Sequence, residues 1–89
     1  MNRFEAAVTA VIRSIEPGDI MTYGEVAELA GFPGRPRGVG HLLRVTTEHL
    51  PWWRVVGAGH RITSPSPEEQ AEHLRAEGWE VTDRRVRPR

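Results

Sequence analysis

Apolar residues near the start of the chain recur at helical spacing. Phe4, Ala7, Val8, Val11, Ile12 and Ile15 follow an i, i+3, i+4 pattern. Asn2 is placed to cap this helix, which is expected to begin at Arg3 and to end before Pro17-Gly18. In D-I-M-T-Y-G-E-V-A-E-L-A-G (19–31), Thr22 and Glu25 form a capping box at the start of a second helix. Val26, Leu29 and Ala30 are expected to make its apolar face, and Gly31 its stop. F-P-G-R-P-R then forces a turn. Pro36 opens a further short helix to about Val45, with Val39, Leu42 and Leu43 inward and Arg37, His41 and Arg44 on another side. Past Leu50-Pro51 the period changes. R-V-V and H-R-I-T around G-A-G predict two short strands and a glycine turn. S-P-S-P reads as a rigid loop. Ser66 or Ser64 caps a last helix that opens at Pro67 and stops at Gly78. Trp79, Val81 and Val86 can return apolar side chains to the core, and R-R-V-R-P-R reads as a frayed tail.

The predicted fold is mainly α with a small β-hairpin. It is a single winged helix-turn-helix domain over residues 1–83, followed by a basic C-terminal tail, 84–89. Two short helices joined by a Gly/Pro turn form the helix-turn-helix, with arginines near the start of the second, where DNA-reading side chains sit. Short helical hairpins are also common without DNA, so this pattern alone does not imply a nucleic-acid partner.

Charge adds some. The chain has no net charge, but its charges segregate. Residues 35–61 hold five arginines against Glu48 alone, whereas 62–83 hold Arg75 against six acids. A basic middle between acidic flanks suits a one-sided contact with an anion. A solvated surface that happens to segregate explains the same numbers equally well. All twelve basic residues are arginine, a bias that a GC-rich genome also produces. The chain has no cysteine, which excludes disulfides, thiolate catalysis and zinc-thiolate sites. Its four histidines lack metal-ligand spacing, and no cofactor is expected. No apolar run approaches the ~20 residues of a membrane span. No signal peptide is evident in M-N-R-F-E-A-A-V, so the expected location is the cytoplasm, with the nucleoid if the source is bacterial.

Four blocks occur in order: T-Y-G-E-V-A-E-L-A-G (22–31), R-P-R-G-V-G (35–40), P-W-W-R-V-V (51–56) and E-E-Q…L-R-A-E-G (68–78). Together they resemble the DNA-binding domain of the O6-alkylguanine-DNA alkyltransferases over residues 3 to about 82. In those enzymes the third block looks like P-C-H-R-V, and its cysteine accepts the alkyl group. Here Trp52 stands at the cysteine position and Trp53 at the activating histidine's. Tryptophan in the first of these places resembles the alkyltransferase-like proteins. An indole offers one N–H donor and no nucleophile, so alkyl transfer to a thiol is excluded.

The resemblance implies a role for each matching residue. Tyr23 crowds the phosphate and helps rotate a nucleotide out. Arg37 enters the stack in place of the extruded base. Tyr23, Trp52, Arg54, Val55 and Val56 form the lesion pocket. Thr22, Tyr23, Arg35, Pro36, Arg37, Gly38, Gly40, Arg44 and Arg61 contact DNA through the minor groove, Gly38 and Gly40 by letting the helix press close. Arg54 also suits a structural tie to the helices. Trp53 is expected to pack inward as core. Glu77 matches the glutamate that orders the histidine, and with Trp53 in the histidine's place it is left to cap or bridge.

The implied function is binding of O6-alkylguanine in duplex DNA by nucleotide flipping, without chemistry, to flag it for nucleotide excision repair proteins. The expected protein is a monomer that does not bind membranes. Two other readings stay open: a winged-helix transcription regulator, and an enzyme that uses a carboxylate such as Glu77 as acceptor.

Overall fold

The computed structural model describes residues 1–89. Four helices pack around two adjoining cores. α1 (Arg3–Arg13) starts at Asn2, whose side chain accepts from the Glu5 N–H while Glu5 bonds back to the Asn2 N–H. α2 (Tyr23–Leu29) starts at Thr22 with the same reciprocal pair, Thr22 and Glu25. α3 (Pro36–Val45) and α4 (Pro67–Ala76) both open on proline, which loses nothing there because a first-turn N–H has no helical partner. α2 and α3 are the helix-turn-helix pair, packed against each other across Gly31–Arg35.

The first core joins Val8, Ile12 and Ile15 of the N-terminal segment to Val26, Ala27, Val39, Leu42, Leu50 and Val55. The helical spacing read from α1 therefore holds. On α2 the inward pair is Val26 and Ala27, whereas Leu29 is 65% exposed, contrary to its expected place on the apolar face. The α2–α3 crossing turns that side of the helix to solvent. The second core joins Val56, Ile62, Ala71, Leu74, Val81 and Val86.

The strands differ from expectation. β2 is only Val55–Val56, and it pairs in parallel with β1 (Met21–Thr22), Met21 opposite Val55 and Thr22 opposite Val56. It does not form a hairpin with 60–63. There the chain makes a tight Gly57–Arg61 bridge around Ala58–His60. The hairpin lies further on. β3 (Trp79–Thr82) pairs antiparallel with β4 (Arg85–Pro88). Asp83 and Arg84 both have positive φ at the turn, as a two-residue turn matched to strand twist requires. The expected frayed tail and the boundary at 83/84 are thus corrected. Val86 is 2% exposed in the second core, and the Ile62 N–H donates to the Arg84 carbonyl at 2.8 Å. An apolar residue alternating with exposed arginines is a strand pattern that the run of charge concealed. No helix is long and apolar enough to cross a membrane.

Candidate nucleic-acid interface

The short β1–β2 ladder places the site. It fixes the chain just before Tyr23 against the chain just after Trp52 and Trp53. A 3-10 turn over Trp52–Arg54 begins at Pro51, where the Trp52 N–H donates back to the Leu50 carbonyl at 2.8 Å. Gln70, fully buried on α4, holds the turn from beneath: its Nε2 donates to the carbonyls of Trp53 at 3.0 Å and Val55 at 2.9 Å. The two rings meet nearly edge to face, 6.1 Å apart at 87°, so adjacent tryptophans serve different surroundings.

Trp52 borders an open cavity of about 770 Å³. One wall comes from α3, with Pro36, Arg37, Gly40, Leu43 and Arg44. Tyr23 closes one side, and Thr63–Ser66 with Glu69 form the rest. Arg37, Gly40 and Arg44 lie three and four residues apart on one face of α3, so the two arginines flank a glycine. A Cβ at Gly40 would sit 3.8 Å from the Tyr23 ring. Trp52 also borders a second cavity, with Arg13, Glu48 and His49. Half-buried and lining both cavities, it is not buried filler.

Trp53 is half-buried and packs against the second core, as expected in part. Its ring stacks on His73 at 4.1 Å and 13°, with the Arg54 guanidinium 5.2 Å away. Its indole N–H donates to Glu77 Oε2 at 2.9 Å. Arg54 donates to the same carboxylate from Nη2 at 2.7 Å and from Nε at 3.0 Å, and from Nη1 to the Ile15 carbonyl at 2.8 Å. The Arg54 bond is the main cause that holds the Glu77 carboxyl below its usual range, against the opposing effect of burial, with the Trp53 N–H helping. Arg54 is raised in turn, chiefly by Glu77.

Several expected site residues lie elsewhere. Arg54 is committed to Glu77 and Ile15 and does not line the cavity, so its structural role is the one found. Val55 and Val56 are fully buried, one in each core, because the parallel ladder turns them inward. Thr22 is used as the α2 cap. Arg35 lies over the Phe4 ring at 4.1 Å, outside the cavity. Gly38 faces α1: a Cβ there would fall 2.8 Å from Phe4 Cζ. Arg61 is exposed in its bridge to Gly57 and Arg85, two residues short of the cavity wall. The structure does bring together Tyr23, Pro36, Arg37, Gly40, Arg44 and Trp52, drawn from three separate segments. It adds Leu43, which was expected to face inward, Ser64 and Ser66, one of which was expected to cap α4, and Thr63, Pro65 and Glu69, which carried no functional signal in the sequence. Ser66 precedes α4 without capping it through its side chain.

The model of the 6-O-methylguanine DNA methyltransferase DNA-binding domain matches residues 3–79. The chain belongs to this family. Within it the alkyltransferase-like branch is the one it fits: at the acceptor position stands Trp52, and there is no cysteine to take an alkyl group. A DNA base-flipping protein of Vibrio parahaemolyticus is 39% identical over 87 residues, covering 93% of this chain and 87% of that protein. Alkyltransferase-like protein 1 of Schizosaccharomyces pombe is 31% identical over 87 residues, covering 91% and 81%. The crystal structure of S. pombe Atl1 in complex with damaged DNA containing O6-carboxymethylguanine superposes with a TM-score of 0.83 at 30% identity, covering 92% of this chain and 82% of that one. The family's fold, a helix-turn-helix with a wing, is the fold described above.

Proposed function

We propose that this protein binds O6-alkylguanine in duplex DNA from the minor groove, rotates the nucleotide into the cavity beside Trp52, and holds it unchanged. The observation that carries this is the convergence of Tyr23, Arg37 and Trp52 on one open cavity. Arg37 and Arg44 supply cationic donors for phosphate, and a planar guanidinium can fill the vacated stack. Trp52 offers a flat apolar wall but no nucleophile. Extrusion costs a few kcal/mol, less for a damaged base that pairs badly. Burial of the alkyl group returns roughly 0.8 kcal/mol per CH₂.

Retention without repair is useful as a signal. The protein acts as a monomer in the cytoplasm, and the occupied lesion is passed to nucleotide excision repair proteins. Relatives called a base-flipping protein and an alkyltransferase-like protein support this reading, as does one crystallised on DNA containing O6-carboxymethylguanine. The test is a titration of one duplex with and without O6-methylguanine, followed by analysis of the recovered DNA. Preferential binding with the lesion intact is expected. Equal binding of the two duplexes would point to a transcription regulator, and loss of the methyl group to an enzyme.

A further inference from the structure

The cavity is not chemically uniform. α3 contributes two arginines to it, whereas the segment 63–66 and α4 contribute three hydroxyls, Thr63, Ser64 and Ser66, and the carboxylate of Glu69. No arginine belongs to that second wall: Arg61 and Arg75 lie outside the cavity, and Arg75 donates to the Val81 carbonyl at 2.8 Å. Glu69 has no hydrogen-bonded partner in the chain. Its nearest cationic candidate is His73, with Nε2 3.9 Å away and the Glu69 side chain 62% exposed. Two prolines flank Ser66, and the Ser66 N–H donates to Ser64 Oγ at 3.3 Å, so the hydroxyl wall is held in place.

The chemistry of a flipped guanine says which end meets this wall. Its sugar and phosphates stay with the duplex, on the side of Arg37 and Arg44. The O6 atom lies on the edge of the six-membered ring remote from the glycosidic nitrogen. A substituent on O6 therefore projects away from the duplex, towards the walls that α3 does not make.

On the reading that the cavity receives O6-alkylguanine, we infer that Glu69 and its neighbouring hydroxyls make this wall a filter for the end of the alkyl group. It favours substituents that end in a hydrogen-bond donor, such as a hydroxyl, amide or ammonium group, and disfavours those that end in a carboxylate. A carboxylate would face Glu69 as a like charge, while a donor finds a carboxylate that no hydrogen-bond donor of the chain engages.

The decisive pair of probes is O6-carbamoylmethylguanine and O6-carboxymethylguanine, which have nearly the same shape and differ by one charge. Each is placed in the same duplex beside guanine and O6-methylguanine controls, and affinity is read by fluorescence anisotropy. The wild-type protein should bind the carbamoylmethyl lesion about fivefold more tightly than the carboxymethyl one, the upper range for a partly exposed charge interaction. The ratio should shrink as salt is raised. In Glu69→Gln it should fall to one or below, because the remaining cavity charges are the arginines of α3. Equal affinity of the wild-type protein for the two probes would overturn the inference, as would an unchanged ratio in Glu69→Gln. The controls separate this from the underlying reading: equal binding of guanine and O6-methylguanine would remove both, whereas a preference for O6-methylguanine with no charge discrimination would remove only the filter.

Discussion

The Trp53 indole donates its N–H to the Glu77 carboxylate at 2.9 Å, across 24 positions of sequence. In the active enzymes that the sequence resembles, a histidine would stand at position 53 and be ordered by this glutamate. The connection survives here while its chemistry does not. An indole N–H can donate, but it cannot accept a proton from a neighbouring group. The arrangement is a clamp that joins Trp53, Arg54 and the C-terminal end of α4.

The clamp should govern acid stability. Glu77 is held below the ordinary carboxyl value of an unfolded chain, chiefly by its bond to Arg54. The stability it supplies is complete above that unfolded value and is lost as pH falls through the lower, folded one. Glu77→Ala, which leaves Arg54 with its side chain 11% exposed and its anion gone, should cost about 3 kcal/mol. Urea unfolding at neutral pH would read that loss. Repeating it down to about pH 3 should show a smaller acid-dependent loss in the variant than in the wild-type protein.

Replacing Trp52→Cys should not create an efficient alkyltransferase. The thiol would stand beside Trp53, whose ring cannot take its proton, and the other aromatic neighbour of Trp52, His73, is stacked flat on Trp53. Single-turnover assays with O6-methylguanine DNA should show negligible methyl transfer at neutral pH. Rapid transfer would mean that another group activates the thiol.

Trp52→Ala should reduce discrimination between lesion and guanine more than it reduces binding to undamaged duplex. The ring is a cavity wall, and loss of base–aromatic contact is worth about 1–3 kcal/mol. Parallel titrations of the two duplexes measure both quantities, and equal losses would show that the ring merely supports the fold.

Arg37→Ala should lower lesion affinity and flipping together, because its guanidinium is both a phosphate donor and the group that can occupy the vacated stack. A 2-aminopurine placed next to the lesion would report flipping as a rise in fluorescence on binding. That rise should be reduced at saturating protein, and the salt slope of binding should become shallower.

Gly38→Ala tests packing. Alanine favours a helix by about 1 kcal/mol, yet its Cβ would fall 2.8 Å from Phe4 Cζ. Phe4 has little room to yield, with Phe32 edge-on at 5.2 Å and the Arg35 guanidinium at 4.1 Å. The substitution should lower Tm in the wild-type background and raise it in a Phe4→Leu background, where thermal unfolding would expose the helix-propensity gain.

Helix starts were legible in the sequence because caps and amphipathic spacing act within about four residues. Asn2 with Glu5 and Thr22 with Glu25 identify their own partners, and Pro36 and Pro67 declare first turns. The absence of cysteine ruled out alkyl transfer to a thiol without coordinates, since no arrangement of this chain can supply a thiolate. Ordered motifs picked out Tyr23, Arg37 and Trp52, three residues that the fold places around one cavity.

What only the tertiary structure decided concerns residues far apart in sequence. The parallel pairing of Met21–Thr22 with Val55–Val56 is too short to leave a periodic pattern, yet it turns both valines into the cores and sets Tyr23 beside Trp52. Gln70 and Glu69 are adjacent on α4. One is buried beneath the tryptophan turn and the other borders the cavity, a distinction set by how α4 docks rather than by residue type. The arginine-rich end became a strand because Val86 reaches an apolar site built by Ile62, Leu74 and Val81. Local propensity acts through near neighbours in the chain. Strand pairing, burial and access to the cavity depend on long-range packing, which comes into being only when the distant segments meet.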